Sequence, residues 1–167
     1  VQLNNLISQS LVSENSRILF VDDGSHDRTW ELISTFSQEY NCVCGIKFSR
    51  NCGHQNALLA GLMTAKDFAD AAISLDADLQ DDISVIPEFI EKWEQGCDIV
   101  YGVRNSRATD SRFKRGTAHG FYKFMKFMGV ELVSDHADYR LMSKRAIEAL
   151  SQFKEINLFL RGMMPLI

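Results

Sequence analysis

Proline is nearly absent from this chain: 167 residues carry two, Pro87 and Pro165. With no Pro/Gly-rich stretch either, nothing in the sequence marks a linker or a domain boundary. Internal repeats and low-complexity segments are missing too, which excludes solenoid and compositionally disordered architectures. No run approaches the roughly 18 uninterrupted apolar residues of a membrane span, and no signal-peptide pattern is evident, so the expectation is a soluble or peripheral chain. Cysteine is sparse. Cys42, Cys44, Cys52 and Cys97 form no disulfide framework and suit a reducing compartment. Cys42, Cys44, Cys52 and His54 could be drawn as a zinc set, but C-x-C lacks the usual C-x2-C spacing. Cys42 and Cys44 also sit in an apolar strand pattern, and buried free thiols are the better account. The net charge of -4 argues against general nucleic-acid binding. Acidic residues thin out in one place, where Arg104, Arg107, Arg112, Lys114, Arg115, Lys123 and Lys126 face only Asp110.

What is present is a hydrophobic content of 46%, enough for one sizeable core and a single domain over 1–167. Apolar strands near 17–22, 42–48, 71–76 and 97–102 alternate with amphipathic helices near 28–39, 54–66 and 84–95. Such alternation predicts an α/β sandwich around a mainly parallel sheet. Leu3, Leu6, Ile7 and Leu11 stand at helical spacing and predict a further helix within residues 1–13.

Two of the strands run into clustered carboxylates. Ala71-Ala72-Ile73 leads to Asp76, Asp78, Asp81 and Asp82, and Ile18-Leu19-Phe20-Val21 leads to Asp22-Asp23-Gly24-Ser25. Ionised groups are rarely buried without a partner, so an apolar strand ending in Asp-x-Asp delivers hard oxygen ligands to a cleft at the sheet's edge. A plainer account is a loop or cap: Asp81 or Asp82 can begin the helix near Ser84, and Ser25 or Asp27 the helix carrying Trp30, Ile33 and Phe36. That account explains the adjacent pair Asp22-Asp23 poorly, because a turn needs one such residue. In parallel sheets ligands bind beyond the carboxyl ends of strands, where Asp22, Asp23, Asp76 and Asp78 fall.

Four segments in order carry a resemblance: 21–29 (VDDGSHDRT), 50–58 (RNCGHQNAL), 76–81 (DADLQD) and 138–142 (DYRLM). They resemble the motifs of family 2 glycosyltransferases, in the polyprenyl-phosphate branch that holds dolichol-phosphate mannosyltransferases and bacterial undecaprenyl-phosphate (bactoprenol) glucosyltransferases. The resemblance runs from about Arg17 to the last residue. It implies a GT-A-like α/β/α sandwich and an inverting transfer of a hexose from a nucleoside diphosphate sugar to a polyprenyl phosphate, with Mg2+ or Mn2+ as cofactor. The family would place a first strand and a Pro-x-Tyr/Phe-Asn-Glu type loop before the first helix, and relatives continue into transmembrane helices. The expectation is therefore a truncated catalytic domain, working at the cytoplasmic face of the cell membrane and anchored by segments outside this sequence.

Each motif can be given a physical task. Asp78 is the first choice as metal ligand and the Gln80 amide oxygen the second, since magnesium takes few protein ligands when a diphosphate supplies the rest. Asp76 is expected on the nucleotide or donor sugar. Asp22 and Asp23 would hold base and ribose through carboxylate hydrogen bonds. Arg50 and Asn51 precede a helix N-terminus, a place suited to phosphate; capping and solvation are the bland alternatives. Asp138 matches the position of the family's presumed catalytic base. A phosphate monoester with a second pKa near 6 has little proton to lose at pH 7, so Asp138 is expected chiefly to orient the acceptor or stabilise cationic character at the sugar.

Arg104, Arg115 and Arg140 are assigned to the acceptor phosphate, which guanidinium groups match in bidentate geometry. Residues 120–128, GFYKFMKFM, read either as an interfacial amphipathic helix or as a core helix with snorkelling lysines. The wording of 102–104 and 136–140 is more similar to the bacterial glucosyltransferases, which points to UDP-glucose and undecaprenyl phosphate. The alternatives are a GDP-mannose-using enzyme of the dolichol type, a nucleotide-sugar-binding module without turnover, and a nucleotidyltransferase. The last would need a Gly-rich basic loop near its first strand, and none is present. Expected partners are the nucleotide sugar, the polyprenyl phosphate and a membrane surface, with no nucleic acid; homo-oligomerisation stays open.

Overall fold

The computed structural model describes residues 2–78, 80–103 and 136–153. Arg104, Arg115, the basic cluster around them and the 120–128 segment lie outside the described residues. Within them the order is α1 (Gln2–Ser8), β1 (Ile18–Asp22), α2 (Thr29–Glu39), β2 (Val43–Lys47), α3 (His54–Ala65), β3 (Ala71–Ser74), a 3-10 turn (Ile83–Val85) running into α4 (Ile86–Glu94), β4 (Ile99–Val103), β5 (His136–Ser143) and α5 (Lys144–Leu150).

The strands form two ladders. β1 and β2 pair in parallel, with Ile18 opposite Val43 and Asp22 opposite Lys47. In the other, β5 lies between β3 and β4 and runs antiparallel to both, so β3 and β4 share one direction. The expected strands and helices are all found. β5 and α5 come in addition: 136–143 mixes Asp138 and Arg140 with apolar residues and carries no clean alternation for a strand reading.

Helices cover both faces. Leu141 and Met142, adjacent in β5, point to opposite sides of the sheet. Leu141 joins Leu6 of α1, Ile86, Phe89 and Ile90 of α4, and Val100 of β4. Met142 joins Leu62 of α3 and Ala146, Ile147 and Leu150 of α5. Around β1 and β2 the division repeats, since Gly45 stands against Trp30 and Ile33 of α2 while Val21 stands against Gly61 of α3. α3 thus spans both ladders on one face, and its first residue sits where the strand ends meet.

Local chemistry sets the element ends. Asp27 Oδ1 accepts the Thr29 N–H at 2.9 Å and starts α2. Asp82 Oδ1 accepts the Ser84 N–H at 2.9 Å and starts the turn before α4. Ser143 Oγ accepts from the Ala146 N–H at 3.1 Å and starts α5. Gly24 has φ of 74°, and a Cβ there would lie 2.4 Å from the backbone carbon of Arg50. Only glycine lets the β1 turn approach the 50–53 loop this closely.

Candidate active site

Asp22 ends β1 and is 2% exposed. Its Oδ1 accepts the Ser25 N–H at 2.9 Å, which closes the Asp-Asp-Gly-Ser turn, while Oδ2 is buried with no hydrogen-bond partner among the described residues. Asp23 spends its carboxylate on the neighbouring loop: Oδ1 accepts the Cys52 N–H at 2.7 Å and Oδ2 the Gly53 N–H at 2.9 Å. Two charge-assisted bonds to consecutive amides hold the backbone that carries Arg50 and Asn51. Asn51 Oδ1 adds an acceptor for the Gly53 N–H at 3.1 Å. Gly53, at φ 91°, then turns the chain into α3.

The first residue of α3 is His54, and its imidazole joins elements far apart in sequence. Nε2 lies 2.8 Å from Asp138 Oδ2 on β5, and Nδ1 lies 4.0 Å from Asp76 Oδ1 just past β3. The side chains differ sharply in exposure, with His54 at 54%, Asp76 at 42% and Asp138 at 4%. On its other oxygen Asp138 accepts from Arg140 Nη2 at 2.9 Å, and Arg140 is fully buried. Arg140, expected on the acceptor phosphate, is therefore placed behind Asp138. β5 is also fastened to β3 here, because Ser74 Oγ donates to the Asp138 carbonyl at 2.5 Å.

The acidic loop after β3 is tied at several points. Asp78 Oδ1 accepts the Gln80 N–H at 3.0 Å, and the Tyr139 hydroxyl donates to the Asp82 carbonyl at 3.0 Å. Burial, with Asp81 and Asp82 nearby, pushes the Tyr139 hydroxyl up to about 12, so it stays a donor throughout the physiological range. Asp82 is held below the usual carboxylate range by its bonds from Ser84. Among the described residues no three His, Cys, Asp or Glu side chains form a metal-binding group.

The structure thus brings Asp22 at the end of β1, Asp23, Arg50, Asn51 and Asp76 in the following loops, and Asp138 near the start of β5 into linked segments, in chain order with the four motifs. The family model of glycosyl transferase family 2 matches residues 3–151. The chain belongs to glycosyl transferase family 2. It is 56% identical over 165 residues, 99% of its own length, to a Bacillus subtilis (strain 168) protein named uncharacterized glycosyltransferase YkoT. It is 40% identical over 157 residues to a bactoprenol glucosyl transferase of Shigella phage SfV, and 41% identical over 157 residues to a prophage bactoprenol glucosyl transferase homolog of Escherichia coli (strain K12). These alignments take in 99%, 93% and 93% of the chain but 49%, 50% and 51% of the relatives, so this family 2 domain spans about half their length.

His54 was not singled out as a site residue from the sequence. The signal was its position, the first residue of a helix directly after the Arg-Asn-x-Gly loop, next to carboxylates that only the fold supplies.

Proposed function

We propose that this domain transfers glucose from UDP-glucose to undecaprenyl phosphate, inverting the anomeric carbon, at the cytoplasmic face of the membrane. The observation that carries this reading is the contact of His54 with Asp138 and its closeness to Asp76, which brings the 50–58 and 138–142 motifs beside the Asp-x-Asp loop. The names of the bactoprenol relatives support glucose and the lipid acceptor. Asp22 Oδ2, a buried acceptor, is suited to an imide N–H of the base, since an unsatisfied buried carboxylate oxygen is costly. The Arg50 guanidinium, on the loop that Asp23 anchors through the Cys52 and Gly53 amides, is suited to the diphosphate. A magnesium or manganese ion held by Asp78 and Gln80 would neutralise charge on the departing nucleoside diphosphate. Arg104 and Arg115 remain the assignment for the acceptor phosphate, and Asp76 for the nucleotide or donor sugar.

The test is calorimetric titration with UDP and with GDP, each with and without magnesium or manganese, followed by transfer to undecaprenyl phosphate. Metal-dependent binding of UDP, lost in Asp78→Asn, together with glucose transfer, is the expected outcome. Preference for GDP would replace the donor, and nucleotide binding without transfer would favour a binding module.

A further inference from the structure

Asp138 is a poor candidate for direct contact with a substrate. It is 4% exposed, Arg140 Nη2 occupies Oδ1 and His54 Nε2 occupies Oδ2. The exposed end of this arrangement is the His54 ring. Because a carboxylate beside a buried guanidinium accepts hydrogen bonds, the ring nitrogen on it is the donor, and the Nδ1 edge is left for another partner. A buried carboxylate that fixes the tautomer and orientation of an accessible imidazole is the division of labour in acid–base dyads on unrelated folds.

We propose that His54, held by Asp138, is the proton acceptor for the attacking phosphate of the acceptor. The inference rests on the reading of the acceptor as a phosphate monoester. Charged groups facing the ring are Asp138, backed by Arg140, from β5 and Asp76 from the loop after β3; on its own side, the Asp23 carboxylate holds the amides of Cys52 and Gly53. A phosphate monoester with a second pKa near 6 keeps a monoanionic fraction up to about neutral pH, and that fraction needs an acceptor for its proton. The monoanion must lose its proton to become a strong nucleophile. In the step, the phosphate O–H proton passes to His54 Nδ1 as the phosphate oxygen bonds to the anomeric carbon. The bond from that carbon to the donor diphosphate breaks, and its electron pair leaves with the nucleoside diphosphate. The proton rests on an imidazolium flanked by Asp138 and Asp76 and passes to water when product leaves.

The test compares wild type, His54→Gln and His54→Ala in the full natural chain, across about pH 5.5 to 8.5, a window around the phosphate's second ionisation. Gln keeps an N–H for Asp138 but offers no basic nitrogen. Its deficit in kcat should deepen from about threefold at the alkaline end to tenfold or more at the acidic end, with KM for the donor little changed. The 15N signal of His54 Nδ1 in the wild type should also move on addition of a short-chain prenyl phosphate. A Gln deficit that stays constant with pH, or an Nδ1 signal indifferent to the phosphate, overturns the proton-acceptor role. Calorimetry with UDP on each variant separates misfolding from lost chemistry. A wild-type chain that binds nucleotide and transfers no hexose overturns the functional reading itself, whereas wild-type transfer with a pH-independent Gln deficit overturns the role of His54 alone.

Discussion

Gly24 and Asp23 illustrate how single residues shape the donor-side loop. Gly24→Ala places a methyl group against the Arg50 and Asn51 backbone at a φ that L-residues avoid. We expect a loss of about 1–3 kcal/mol in urea unfolding, read as a lower midpoint at unchanged slope. Asp23→Ala removes the acceptor for two amides and should cost about 1.5–3 kcal/mol by the same measurement, with weaker nucleotide binding because the 50–53 loop loses its anchor. The turn role of Gly24 was legible in the sequence, because Asp-Asp-Gly-Ser follows an apolar strand. The contact of His54 with Asp138 was not: the two are 84 positions apart, and no local pattern encodes a contact of that span.

Among the elements, β5 is the strand on which core and site converge. It sends Leu141 into one apolar cluster and Met142 into the other, and brings Asp138 to His54 and the Tyr139 hydroxyl to the Asp82 carbonyl. Met142→Ala, at a fully buried position, should destabilise by about 2–5 kcal/mol in denaturant unfolding. Tyr139→Phe keeps the ring tilted against Phe89, at 4.8 Å between centroids and 39° between planes, but loses the bond to the Asp82 carbonyl. It should cost about 1 kcal/mol and weaken metal-dependent nucleotide binding measured by calorimetry, because the acidic loop loses its tether to β5. The raised hydroxyl of Tyr139 means that the native state favours the protonated form. Its contribution is fully present below the ordinary value of 10.0 and is lost as pH rises toward about 12, so alkaline unfolding of Tyr139→Phe should lack that component.

For the whole molecule, stability should be graded from the centre outward. Amides of Leu141, Met142, Ile147 and Leu150, all almost wholly buried, should exchange with solvent only through global unfolding, and those of the 75–82 loop through local opening. UDP with magnesium should slow exchange in that loop in the wild type and leave Asp78→Asn unchanged; protection in both would remove Asp78 from the metal assignment. The sequence by itself determined the α/β alternation, the carboxylates at the ends of β1 and β3, and the family, because apolar periodicity and turn chemistry are local and the motifs keep their order along the chain. Only the tertiary structure decided that β5 lies antiparallel between β3 and β4, that Arg140 is buried behind Asp138, and that His54 meets Asp138 and lies beside Asp76. Those facts depend on pairing and packing between segments far apart in the chain, where free energy comes from burial shared by several elements rather than from the preference of any one.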